Sequence, residues 1–282
     1  MCQIAVKNCS YTYQPGTISS HQALYDISLE IKQGELLAII GHGGSGKSTL
    51  ALLLAGLFVP ESGTVTIGDG HIPPEQLFRE VGLVFQYPEH QLFAQNVFEE
   101  VAFGARNAGT AEDYLPVKVR QALETVGLDP DQYWYHSPFE LSGGQKRRVC
   151  IASLLAINPG IVILDEPTAG LDAAGKSWMK ELISSLNQQG KTVIWISHDM
   201  SEVAELARRV IVLEQGRLIL DGDTKSVFSC EQQLAAAGLE LPRAAQLVRD
   251  LKAQGLPIPG EAVTVEGAFE EIAAYLGGGN TD

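Results

Sequence analysis

Apolar residues recur along the chain in three patterns. Short alternating runs at residues 4–6 and 29–31 predict half-buried strands. Continuous apolar runs at 36–40, 161–164 and 193–196, each flanked by turn residues, predict buried strands of a parallel sheet. The run at 36–40 leads into a glycine-rich loop at 41–46 and then an apolar helical pattern at 48–55, a strand–loop–helix unit. Further strands are predicted at 64–67 and 81–85, and a hairpin at 210–213 and 217–220 around Gln215 and Gly216. The helical period dominates from Tyr87 to about Ala156, most clearly at 116–126 and 145–155. A helix at 173–188 separates two buried strands and closes a β–α–β unit. Residues 223–282 read as short helices broken by Gly238, Pro242, Pro257 and Pro259, an appended small helical domain.

Composition narrows the class. The 282 residues are 45% hydrophobic and 19% charged, as expected of a folded globular chain long enough to bury a large core. A net charge of −14 argues against a broad nucleic-acid-binding face, so no nucleic-acid partner is expected. Cysteines at 2, 9, 150 and 230 form no C-x-x-C pair and read as reduced thiols. No signal peptide is expected at the N-terminus, and no apolar run approaches the roughly 20 residues needed to cross a bilayer.

Three motifs carry chemistry. Gly41-His42-Gly43-Gly44-Ser45-Gly46-Lys47-Ser48 fits G-x-x-x-x-G-K-[ST], in which backbone N–H groups surround phosphate oxygens. Glycine permits the dihedrals and the close approach, Lys47 reaches the β- and γ-phosphates, and Ser48 coordinates Mg²⁺. The run at 161–164 then delivers Asp165 and Glu166 to a strand end, where Asp165 would hold Mg²⁺ hydration and Glu166 would polarise an attacking water. The third is Leu141-Ser142-Gly143-Gly144-Gln145, a helix start from Gln145 onward that forms a second anion site. One nucleotide needs only one γ-phosphate site within a chain, so a head-to-tail dimer is expected, each such segment capping ATP held by the partner's loop. The neighbouring Lys146-Arg147-Arg148 reads as a solvated or salt-bridged face.

With these motifs in this order, residues 3–222 resemble an ATP-binding cassette ATPase. The resemblance implies an α/β fold: a P-loop NTPase, RecA-like core with a β-subdomain, an inserted helical subdomain at about 87–156, a cassette at 1–222 and a small C-terminal helical domain at 223–282. It implies that Tyr13 stacks on adenine and that Thr49 joins Gly41, Gly43, Gly44, Ser45, Gly46, Lys47 and Ser48 around the nucleotide. Gln86 matches the family's glutamine loop, touching Mg²⁺ and water with Ser48 and Asp165, and sensing a membrane partner. Asp172, in Ala169-Gly170-Leu171-Asp172, matches the loop that crosses the dimer interface beside Ser142, Gly143, Gly144 and Gln145. His198, in Ile196-Ser197-His198-Asp199, matches the histidine that contacts the γ-phosphate, completing a catalytic set with Glu166, Lys47 and Gln86.

A narrower resemblance is to the ATPases of energy-coupling-factor transporters, nearest the second of their two types. It rests on Gly82-Leu83-Val84-Phe85-Gln86-Tyr87-Pro88-Glu89-His90-Gln91-Leu92-Phe93, on Val101-Ala102-Phe103-Gly104, and on Pro138-Phe139-Glu140 before the serine-glycine-glycine motif. The tail segments Gly238-Leu239-Glu240-Leu241-Pro242 and Gly255-Leu256-Pro257-Ile258-Pro259 are similar as well. Gly43, where Thr or Asn is expected, and Asn96, where Thr is expected, depart from the pattern. The implied partners are an integral membrane coupling subunit, a substrate-binding membrane subunit, and a second cassette ATPase or another copy of this chain. The implied place is the cytoplasmic face of the cell membrane, and the implied cargo a vitamin or transition-metal cation. Competing readings are a cassette ATPase of another transporter class, a soluble cassette of DNA repair or translation, a P-loop small-molecule kinase, and a non-catalytic regulator. The absence of coiled-coil insertions, of a second cassette and of an arginine-rich lid disfavours the soluble cassette and the kinase, and intact Asp165, Glu166 and His198 disfavour the regulator.

Overall fold

The computed structural model describes residues 2–68 and 77–278. The chain begins with β1 (Cys2–Tyr13), β2 (His21–Lys32), β3 (Leu36–Ile40), α1 (Lys47–Leu54) and β4 (Ser62–Ile67). β1 and β2 are each twelve residues long, far beyond the short runs that alternate cleanly in sequence. Register shifts at Val6/Cys9 and Cys9/Tyr11 account for the difference. Asn8 and Asp26 adopt positive φ there, and each bulge breaks the period of two that marks a strand.

Next come α2 (Leu77–Glu80), β5 (Val81–Val84), α3 (Val97–Asn107), α4 (Leu115–Thr125), α5 (Pro130–Tyr133) and α6 (Gly143–Ile157). β6 (Ile161–Asp165), α7 (Ala173–Gln188), β7 (Thr192–Ile196), α8 (Met200–Leu206), β8 (Arg209–Glu214) and β9 (Arg217–Asp223) complete the main body. β5 stops one residue short of the expected Phe85, and α6 starts two residues earlier than expected, at Gly143. Asn96 caps α3 by accepting the Glu99 N–H at 2.9 Å, a role that Thr also fills, so this departure from the family pattern is structurally conservative.

Two sheets result. β2, β1 and β4 form an antiparallel sheet, and the larger sheet runs β5-β6-β7-β3-β8-β9, parallel except for β9. The continuous apolar runs are divided by strand geometry, since successive side chains point to opposite faces. Leu36, Ala38, Ile40, Val162, Leu164, Val193 and Trp195 face one core, shared with α3, α4, α6 and α7. Leu37, Ile39, Ile161, Ile163, Ile194 and Ile196 face the other, shared with α1 and the antiparallel sheet.

The tail holds α9 (Thr224–Ser229), α10 (Glu231–Ala236), α11 (Arg243–Ala253) and α12 (Val265–Gly278). Phe228, Leu234 and Leu241 join the main core, whereas Ala244, Val248, Ile258 and Ala268 form a small core of their own. Residues 279–282 of the expected tail lie outside the described residues. Cys9, Cys150 and Cys230 are free thiols, and the Cys2 side chain is not among those described. Among the described residues, no helix is long and apolar enough to cross a membrane.

Candidate active site

Sheet order decides where the chemistry can gather. β6, β7 and β3 are neighbours, so the loops after Asp165, Ile196 and Ile40 meet at one edge, beyond the carboxyl ends of parallel strands. The loop after β3 is held against the sheet by close backbone approach. A Cβ at Gly41 would overlap the Leu213 carbonyl and the Ser45 hydroxyl, and one at Gly46 (φ +100°) would lie 2.8 Å from the Ala23 carbonyl oxygen. Gly43 has open space around it, so the unusual glycine there meets no steric demand. The Lys47 ammonium donates to the carbonyls of Gly41 (2.8 Å) and His42 (2.9 Å) and to Ser45 Oγ (3.4 Å). Burial lowers its pKa from the ordinary lysine value, opposed by the nearby carboxylates of Glu166 and Asp165. Tyr13 reaches the first turn of α1, its hydroxyl 3.0 Å from Thr49 Oγ1, with its ring edge-on to Tyr11 and Phe58.

Asp165 is buried at the end of β6. Burial raises its pKa, while the Ser48 hydroxyl hydrogen-bonded to it and the Lys47 charge act to lower it. Glu166 follows in the left-handed region (φ +51°), a conformation that costs a non-glycine residue about 1–3 kcal/mol and recurs at functional sites. Its N–H is bound to the Ile196 carbonyl at 3.0 Å. Its carboxylate lies 2.5 Å from His198 Nδ1, in a pair whose members differ in exposure, 12% for Glu166 and 71% for His198. Burial pushes the Glu166 pKa up, and the His198 charge and hydrogen bond oppose that rise. A partly desolvated carboxylate oriented by an imidazole beside a lysine and a second carboxylate is an arrangement suited to accepting a proton from water.

The remaining expected residues lie elsewhere. Gln86 is exposed just past β5. Ser142 caps α6, accepting the Gln145 N–H at 3.4 Å while Gln145 Oε1 accepts the Ser142 N–H at 2.9 Å, a reciprocal capping box. Gln145 also donates to the Tyr133 hydroxyl at 2.8 Å. Gly143 and Gly144 are exposed, with nothing within 4 Å of an added Cβ. Asp172 caps α7 through the Gly175 N–H at 2.8 Å. Among the described residues, no hydrogen bond joins Ser142–Gln145 to the lysine loop or to Glu166 of the same chain.

The basic run after Gln145 follows the salt-bridged alternative of its sequence reading at Arg147, which pairs with Glu89, and departs from the solvated one. Arg147 is 4% exposed and is no solvated face. Its guanidinium donates to the carbonyls of Pro167 (3.2 Å) and Ala169 (2.8 Å) and to Glu89 Oε1 (3.4 Å). Arg148 stacks over Trp178 at 4.1 Å and donates to the Val126 carbonyl at 2.6 Å. The available signal was helical spacing: Arg147 lies four and seven residues before Ile151 and Leu154, on a buried stripe.

Comparison with known proteins identifies the family. The ABC transporter family matches residues 24–169. The energy-coupling factor transporter ATP-binding protein EcfA2 of Acetivibrio thermocellus is 44% identical over 277 residues, covering 97% of this chain and 98% of that protein. EcfA2 of Caldanaerobacter subterraneus subsp. tengcongensis is 43% identical over 281 residues, covering 98% of each. Among solved structures, cbiO1 from Clostridium perfringens, part of the ABC transporter complex cbiONQ, superposes with a TM-score of 0.73 at 36% identity, covering 88% of this chain and 99% of that one. The ATP-binding cassette MJ0796, solved as a post-hydrolysis dimer bound to ADP and Pi, gives 0.69 at 30% identity, covering 78% and 98%. With an αβ core of that architecture and relatives matching nearly end to end, the chain belongs to the ABC transporter family, among the ATP-binding proteins of energy-coupling factor transporters.

Proposed function

We propose that this chain is the ATP-hydrolysing motor of an energy-coupling factor importer for a vitamin or transition-metal cation, acting from the cytoplasmic face of the cell membrane. ATP would lie between the lysine loop of one cassette and the Ser142–Gln145 segment of a second, either a copy of this chain or a related ATPase. Glu166 takes the proton of the attacking water, His198 orients it, and Lys47 and the loop amides hold the phosphates. Tyr13 and Thr49 border the base side of the nucleotide, and Asp172 faces the second cassette. The observation that carries this reading is Glu166, strained in backbone and partly desolvated, paired with His198 at the edge where Lys47 also arrives.

Mg²⁺ fits the donors near Lys47. Ser48 and Asp165 offer oxygen ligands and are already in contact, and the side-chain oxygen of Gln86, exposed past β5, would join them from the facing loop. When bound, Mg²⁺ would supply neutralisation of phosphate charge.

An apolar groove of about 330 Å³ beside Gln86 supports docking of a membrane coupling subunit. Leu83, Phe85, Pro88, Phe93, Phe103 and Leu154 line it, and the rings of Phe93 and Phe103 meet edge-on at 4.8 Å on the exposed rim. We further propose residues 1–222 as the cassette, with its helical subdomain at about 87–156, and 223–282 as an appended helical domain. The separate core around Val248 and Ile258 supports an appended unit in the tail, although Phe228, Leu234 and Leu241 tie its first part to the main core.

The test is Glu166→Gln. Phosphate release without any added acceptor should fall by about 10²- to 10⁴-fold, and ATP should trap a dimer visible by light scattering. Turnover near that of the natural chain would remove Glu166 from this role. Dependence on a small-molecule acceptor would favour a kinase instead.

A further inference from the structure

We infer that Arg147 is a positioning residue that links the segment after Gln86 to the loop carrying Glu166 and Asp172. The inference rests on the motor reading above, in which Gln86 adjoins the membrane partner and Glu166 activates water.

The segment after Gln86 contains a short 3-10 turn, Pro88–Gln91. Two contacts seat it on α6: the Cys150 thiol donates to the Pro88 carbonyl at 3.2 Å, and Arg147 donates to Glu89 at 3.4 Å. The same guanidinium holds the Pro167 and Ala169 carbonyls, immediately after Glu166. One buried charge therefore answers to two segments that share no covalent neighbourhood. A buried guanidinium needs its acceptors, so moving either segment changes how well the other is satisfied.

The far side of the loop is anchored separately. Thr168 Oγ1 donates to Glu202 of α8 at 2.8 Å, and Lys176 bridges Glu202 (2.8 Å) and Asp199 (3.3 Å), the residue next to His198. Pro167–Ala169 is thus gripped by Arg147 on one side and by the neighbours of His198 on the other. The Arg147–Glu89 contact is one-sided, because Glu89 Oε2 is buried without a hydrogen-bond partner. A second arrangement is open to the pair, in which both carboxylate oxygens meet the guanidinium. That pair is the element with two settings through which a partner pressing on the turn would shift the Glu166 loop.

Amide hydrogen exchange on the full chain, compared among Glu89→Gln, Arg147→Lys and the double variant, tests the link. The hydrogen bond of Glu89 goes to Arg147 and not to the Glu166 loop, yet Glu89→Gln should speed exchange at the Ala169 and Leu171 amides by about fivefold or more. Those amides are bound to the Glu166 and Thr168 carbonyls. Arg147→Lys should do the same, the double variant should add nothing further, and β3 and β7 should remain unchanged. In steady-state hydrolysis by the assembled ATPase, Glu89→Gln should lower kcat by about fivefold while KM for ATP stays within about twofold. Loosening confined to residues 86–92, additive effects in the double variant, or loosening that spreads to β3 under Glu89→Gln would each overturn the inference. If Arg147→Lys unfolds the chain, Glu89→Gln decides alone. The exchange measurement uses no nucleotide and no membrane partner, so its failure is distinct from failure of the motor reading.

Discussion

Two glycine-rich stretches open helices in this chain, and they handle their glycines in opposite ways. In the loop before α1, two of the four glycines are demanded from within: a Cβ at Gly41 or Gly46 would strike the Leu213 or Ala23 carbonyl, whereas Gly43 and Gly44 have open space. At the start of α6, Gly143 and Gly144 face open space, and the helix end is closed by its own Ser142 and Gln145. The first stretch is finished by its own fold, with Lys47 already bound to the loop carbonyls. The second is folded just as completely and has no neighbour in the chain that calls for glycine. Two bare glycines at an exposed helix start leave room for a close approach from outside, as the proposed site built from two cassettes requires.

Substitutions should separate the two stretches most strongly. Gly41→Ala or Gly46→Ala should cost about 1–3 kcal/mol in urea unfolding, through backbone strain and overlap, and should abolish ATP binding. Gly143→Ala or Gly144→Ala should be neutral or stabilise by about 0.5 kcal/mol, since alanine is the better helix former, yet should lower hydrolysis at least ~10-fold. Equal destabilisation at all four positions would erase the distinction.

A second effect concerns pH. Burial raises the Glu166 pKa and His198 opposes that rise. A proton acceptor must be ionised, so hydrolysis should fall as pH drops through the raised pKa, above the usual carboxylate range. His198→Ala removes the opposing influence and should move this acid limb to higher pH, beyond any loss in the maximal rate. An acid limb left in place would uncouple the two residues.

The smallest effect lies with Asp165. Its folded pKa is raised, so above that pKa the folded chain carries the charge at a cost, and below the ordinary Asp value the cost is gone. Asp165→Asn should therefore stabilise the chain by about 1 kcal/mol at neutral pH, a gain that fades on acidification, while hydrolysis is lost. Thermal melts across pH would show this directly.

What was legible in the sequence follows from how each feature is encoded. The buried strands of the parallel sheet were readable because both of their faces are apolar, and the three motifs because they end such strands or start helices. β1 and β2 were read only in part, since bulges near Asn8 and Asp26 interrupt alternation. Arg147 was read correctly as a salt-bridge former, but its burial was not foreseen, because that depends on carbonyls twenty residues and more away in the chain. The left-handed backbone of Glu166 and its contact with His198 depend on the adjacency of β6 and β7, which no local pattern announces. The likeness to relatives at 43–44% identity establishes the family, but what each site residue does rests on tests of this chain.

If each ATP is completed by a second cassette, two inactive variants of this chain, Lys47→Ala and Gly144→Asp, should rescue each other when mixed under conditions in which the natural chain hydrolyses ATP. In a head-to-tail mixed dimer one site combines both lesions, while the other pairs an intact lysine loop with an intact Ser142–Gln145 segment. Mixing should then restore phosphate release that neither variant shows alone. A mixture that stays as inactive as its components while mixed dimers form would mean that the site is not shared between two cassettes.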